Sequence, residues 1–124
     1  MASQNLDISI KLTTDLPLNG IFCLESISAD VLEFNNGAVT GNTISVTTGA
    51  AVDVVAASVS KQTYVFVKNT DPTNFVFLKT AAGTTYGKLL PGEFNFISVY
   101  PSVGLEVLAD TADCVVEYAT FEKP

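Results

Sequence analysis

Apolar residues recur at every second position along most of this chain, and a period of two marks extended strands rather than helices. Leu6, Ile8, Ile10 and Leu12 alternate with polar residues, which predicts a strand with one buried face. Asp15 to Gly20 (DLPLNG) reads as a turn. Ile21 to Ile27 and Val31 to Phe34 read as one strand or two, and Thr43 to Thr47 (TISVT) as the next. Between them Asn35-Asn36-Gly37 is a hairpin signal, because Asn and Gly tolerate positive φ. Gly49 to Ser60 is rich in Ala, which allows a helical turn, but its β-branched residues favour a strand.

The second half is more regular. Thr63 to Lys68 (TYVFVK), Asn74 to Lys79 (NFVFLK), Phe94 to Val99 (FNFISV), Leu105 to Ala109 (LEVLA) and Cys114 to Phe121 (CVVEYATF) read as strands. Turn formers separate them: Asn69 to Thr73, the loop Ala81 to Thr85, Pro91-Gly92, Tyr100 to Gly104 and Asp110 to Asp113. Short strands with turn chemistry between them predict an all-β chain folded as an antiparallel β-sandwich, jelly-roll-like or Ig-like, of seven to nine strands. We expect one domain over residues 1–124, with Met1 to Asn5 as a loose arm.

Alternation fails at one place. In TYVFVK and NFVFLK both parities are apolar: Tyr64 and Phe66 oppose Val65 and Val67, and Phe75 and Phe77 oppose Val76 and Leu78. Read as a hairpin, this pair has one face for the core and a second that a local segment or another subunit must cover. Those eight residues are the candidate interface. The chain is 48% hydrophobic and only 15% charged, with mean hydropathy +0.37. That excess favours a subunit interface.

Charge narrows the partners. The net charge is −7, there is no His, and all six basic residues are scattered lysines. Nucleic-acid binding draws on clustered cations that displace counterions from phosphate, and none cluster here. An acidic chain is also repelled by anionic membranes. The N-terminus lacks the basic and apolar regions of a secretory signal. No cofactor is expected.

Catalytic chemistry is scarce. Without His, every Ser-His or Cys-His nucleophile is excluded. Gly83 and Gly87 lack the ending of a phosphate-binding loop. Glu25 and Glu33 show no paired-acid signature of a glycosidase and read as solvent-facing strand residues. Asp110 and Asp113 could contribute to a Ca²⁺ site, but Asp at such positions ordinarily holds the turn. Cys23 and Cys114 stand outside any metal spacing and read as buried thiols, with a mutual disulfide as the alternative. The aromatics, eight Phe and four Tyr, could form a sugar platform, but their strand positions favour core packing. We expect no enzymatic activity.

Four segments carry a resemblance: VKNTDPTNF (67–75), KLLPGEFNF (88–96), GLEVLAD (104–110) and VEYATFE (116–122). Their order resembles a C-terminal module of small virion structural proteins of tailed bacteriophages, over residues 63–122. In the Leu-x-Pro-Gly-Glu-Phe element, Pro91 fixes φ, Gly92 accepts positive φ and Glu93 bridges the corner, while Phe94 and Phe96 enter the core. The resemblance implies a capsid decoration or cement protein that binds the major capsid protein or other virion proteins. A tail, neck or fibre component with a receptor- or carbohydrate-binding sandwich is the rival. It further implies a virion location after assembly in the host cytoplasm and a homo-oligomer, with a trimer suggested by the three-fold sites of shells. The acidity suits a shell exterior.

Overall fold

The computed structural model describes the backbone of residues 3–11, 26–35 and 39–123, and the side chains of residues 41–123. Among these residues there are ten strands and no helix. Strands β1 (Ser3–Lys11) and β2 (Ser26–Asn35) pair antiparallel with each other and, among the described residues, with no other strand. The remaining eight are β3 (Val39–Val46), β4 (Val52–Val55), β5 (Thr63–Asn69), β6 (Val76–Lys79), β7 (Thr85–Leu89), β8 (Phe94–Val99), β9 (Leu105–Ala109) and β10 (Cys114–Glu122). They form two four-stranded sheets, in the orders β3-β10-β5-β8 and β4-β9-β6-β7, with every pair antiparallel. Except at β6–β7, each connection crosses from one sheet to the other. That strand order is the eight-stranded jelly roll. The expected antiparallel sandwich is thus what the chain forms, and of the two architectures left open the topology selects the jelly roll.

The inner faces follow the strand periodicity. Val65 and Val67 on β5, Val46 on β3 and Val116 on β10 meet Val76 and Leu78 on β6 and Leu105 and Val107 on β9. All eight are at most 1% exposed. Burying a side chain of this size stabilises by roughly 1.5–3 kcal/mol relative to leaving it in water. The core is therefore a valine-rich slab between two pleated surfaces.

Three expectations are corrected. TYVFVK and NFVFLK are strands, but they are not a hairpin. β5 lies in one sheet and β6 in the other, so the chain between them arches over the sandwich and their apolar parities face each other across the core. The strands flanking Asn35-Asn36-Gly37 do not pair either: β2 pairs with β1 and β3 with β10. Residues 36–38 themselves, the DLPLNG turn, Cys23 and Glu25 lie outside the described residues. Phe94 and Phe96 do not enter the core. Phe94 is 65% exposed and Phe96 half-buried, because the β5–β8 register pairs core-facing Val65 with Ile97 and Thr63 with Val99. Once those two face inward, the pleat turns Phe94 and Phe96 outward.

One strand was not anticipated. β7 (TYGKL) carries a Gly in mid-strand and three exposed residues out of five. Its register slips at Tyr86, an extra residue opposite the Leu78–Lys79 step.

Candidate functional site

Jelly-roll connections gather at two ends. The links after β3, β5, β7 and β9 share one end, and hydrogen bonds tie them together. Asn69, at the end of β5, is fully buried. Its Nδ2 donates to the carbonyls of Asn74 at 2.9 Å and Leu89 at 3.1 Å, and its Oδ1 accepts from the Asp71 amide at 3.0 Å. Its own amide donates to the Glu93 carbonyl, and its carbonyl accepts from the Gly92 amide, both at 2.9 Å. Asp71 Oδ2 accepts from the amides of Asn74 at 2.6 Å and Thr73 at 2.9 Å. Those two backbone bonds, Asn74's first, hold the Asp71 carboxyl below its ordinary range.

The LPGE corner is built as expected. The Glu93 amide donates to the Leu90 carbonyl at 3.0 Å, closing a turn with Pro91 and Gly92 at its centre. Gly92 has φ +80°, the conformation that a type II turn needs at its third residue. Glu93 bridges the corner through Oε1, which accepts from the Leu90 amide at 2.7 Å. Two of the quoted segments, the Asn69 turn and the LPGE corner, therefore form one hydrogen-bonded unit.

The eight candidate interface residues divide cleanly. Val65, Val67, Val76 and Leu78 are core. Tyr64, Phe66, Phe75 and Phe77 lie on the outer faces. On the β6 side Phe75 and Phe77 meet edge to face at 5.3 Å, with Lys88 Nζ 4.9 Å from the Phe75 ring centre. On the β5 side Tyr64 stacks on Phe96 at 6.3 Å and Phe66 meets Phe94 at 6.0 Å. Exposure rises across this stripe towards β8. Tyr64 is 6% exposed, Phe66 and Phe96 are intermediate, and Phe94 is 65% exposed.

Six large apolar side chains are exposed among the described residues: Tyr86, Leu90, Phe94, Tyr100, Val103 and Val115. Five of them, all but Val115, sit on β7, on β8 or in the turns that bound β8. There the open edges β7 and β8 flank a groove of about 210 Å³, lined among others by Tyr86, Ile97, Val99, Tyr100 and Val103. Burial raises the Tyr86 hydroxyl above its ordinary pKa. Tyr86, Tyr100 and Val103 line this groove, while Leu90 and Phe94 are exposed at the opposite end of β8. Periodicity could not reveal this arrangement, because it depends on which strands end up at the sheet edges.

The polar features are modest. Asp53 and Glu106 face each other across β4 and β9, with Lys79 next to Glu106 in the same row. Burial, and then the hydrogen bond and charge of Asp53, raise the Glu106 pKa, while Lys79 partly offsets them. Among the described residues no three His, Cys, Asp or Glu side chains are grouped to hold a metal ion. Asp110 and Asp113 lie in the β9–β10 turn, where the Asp110 amide donates to the Phe75 carbonyl at 3.3 Å. Cys114 is a buried free thiol, whose pKa burial raises.

No protein-family model matches the chain, and a search of curated proteins finds no relative for it.

Proposed function

We infer that the protein is a non-enzymatic structural protein of a bacteriophage virion, a decoration or cement protein that binds the head shell and stabilises it. The observation that carries this reading is the concentration of exposed apolar side chains on the β7–β8 side of an otherwise acidic sandwich. A protein that binds only the assembled lattice stabilises that lattice by mass action. The resemblance over residues 63–122 supports the virion assignment. Jelly rolls serve as viral capsid and lectin domains alike, so the fold is compatible with it but does not decide it. Co-sedimentation of the purified protein with empty phage heads tests the reading, and a protein that stays in the supernatant would overturn it.

A second reading has one observation in its favour. Tyr86 and Tyr100 flank the groove, with Thr80 and Ser98 in its lining. Tyrosine faces beside hydroxyls suit a sugar ring, as a carbohydrate-binding tail or fibre domain would need. Titration with host-surface glycans, repeated with Tyr100→Ala, tests that alternative.

A further inference from the structure

Four strands end the two four-stranded sheets, and natural proteins guard such edges with charge, bulges or short length. β4 is four residues long, carries Asp53 and bulges at Val54. β7 carries Lys88 and bulges at Tyr86. β3 bears no charge but has Gly41 and Asn42 in mid-strand, both poor strand formers. β8 has none of these defences. Its six residues, FNFISV, include no charge, proline or glycine, and its ladder with β5 is unbroken. The uncharged stretch continues to Gly104. Exposed Phe94 stands at the start of this edge, and exposed Tyr100 and Val103 follow its end beside the groove.

We propose that β8 pairs antiparallel with β8 of a second copy of this chain, joining the two β3-β10-β5-β8 sheets into one eight-stranded sheet around a two-fold axis. The occupant is a second copy for two reasons. A chain of net charge −7 approaches itself at least cost through a surface without charge, and β8 with its following turn is such a surface. An uncharged strand edge also complements itself: each N–H and C=O row meets its own counterpart when one copy is turned by two-fold rotation, the commonest closed symmetry. Across the axis the stripe Tyr64–Phe96 and Phe66–Phe94 would continue into its equivalent, removing Phe94 from water. The result is a dimer, rather than the trimer suggested by three-fold shell sites. This inference rests on reading the β7–β8 side as an assembly surface, but not on the head location.

Native mass spectrometry of the purified chain, with charge placed on either uncharged edge, tests it. Ser98 is exposed on β8, where its Oγ accepts from Gln62 Nε2. Thr43 is exposed on β3. The expected result is a wild-type dimer, a Ser98→Lys variant whose association is weaker by roughly 100-fold, and a Thr43→Lys variant that dimerises like the wild type. Circular dichroism should show both variants folded, and Phe94→Lys, altered at an exposed site, provides a second charge on β8. A monomeric wild type, a dimer indifferent to both β8 charges, or a trimer broken by Thr43→Lys would each overturn the two-fold β8 pairing. A monomer that still co-sediments with heads leaves the virion role standing while removing this inference. A dimer that ignores heads does the reverse.

Discussion

The Asn69 side-chain amide donates to the Leu89 carbonyl oxygen at 3.1 Å, joining the end of a central strand in one sheet to the end of an edge strand in the other. Asn69 is fully buried, and its bond to the Leu89 carbonyl lies out of ready reach of water.

Replacing Asn69 by Ala strands the Asn74 and Leu89 carbonyls and the Asp71 amide in one step. We expect a loss of about 3 kcal/mol, since each buried polar group left unmatched costs about 1–3 kcal/mol and some will reach water. Urea unfolding measures it as a lower midpoint with an unchanged slope. A loss within experimental error would show that the turn cluster does not depend on Asn69.

Two glycines with nearly the same φ should respond differently to alanine. Gly92 has φ +80° with nothing within 4 Å of an added Cβ. Gly104 has φ +75°, and its Cβ would stand 3.0 Å from the Val55 carbonyl oxygen and 3.1 Å from the Ala57 nitrogen. Gly92→Ala should cost about 1 kcal/mol from backbone strain alone. Gly104→Ala should cost roughly 2–3 kcal/mol, as backbone atoms must also move. Thermal melts of the two variants side by side check the order.

Lysine at the two parities of the β5 and β6 segments separates core from surface. Val67 is 0% exposed on the inner face. Val67→Lys should abolish folding, because a buried ammonium without a partner costs several kcal/mol. Phe77 is half-buried on the outer face, and Phe77→Lys should fold with a loss of about 1–2 kcal/mol. Near-ultraviolet circular dichroism of both proteins distinguishes these outcomes.

These positions also show what could be read from the sequence. Strands β5, β6, β8, β9 and β10 were legible because short runs rich in β-branched and aromatic residues lie between turns with recognisable chemistry. The LPGE corner was legible because Pro and Gly act on their own dihedrals. Pairing was not, because the nearest strand in sequence is the natural guess for a partner, and a jelly roll sends it to the opposite sheet. Hence β5 and β6 were read as a hairpin. Inward and outward parity on β8 was misassigned for a related reason. Phe94 and Phe96 are larger than Ile97 and Val99, but the register with Val65 decides which pair turns inward. The role of Asn69 depends on contacts with Leu89 and Glu93, twenty or more residues away, and no local pattern announces it. The apolar β7–β8 side was hidden because TYGKL gave no strand signal.

Glu106 supplies a pH prediction. Its pKa is raised in the folded protein by burial and by Asp53 opposite it. A carboxyl with a raised folded pKa favours the folded state while protonated, and this contribution fades as pH rises through the carboxylate range. Glu106→Gln should therefore melt at a higher temperature than the wild type at neutral pH. The gap should close in acid, where the wild-type carboxyl is itself neutral. Asp71, whose lowered pKa makes its contribution fail in acid, is present in both proteins and cancels from the difference. A gap that widened as pH fell would show that the Asp53–Glu106 pair does not strain the fold.

For the virion role proposed above, quantitative mass spectrometry of purified particles of the encoding phage tests the assembly claim most directly. A decoration or cement protein is expected in a copy number that matches the repeating sites of the head shell, scaling with the major capsid protein. A handful of copies per particle, or none, would contradict it.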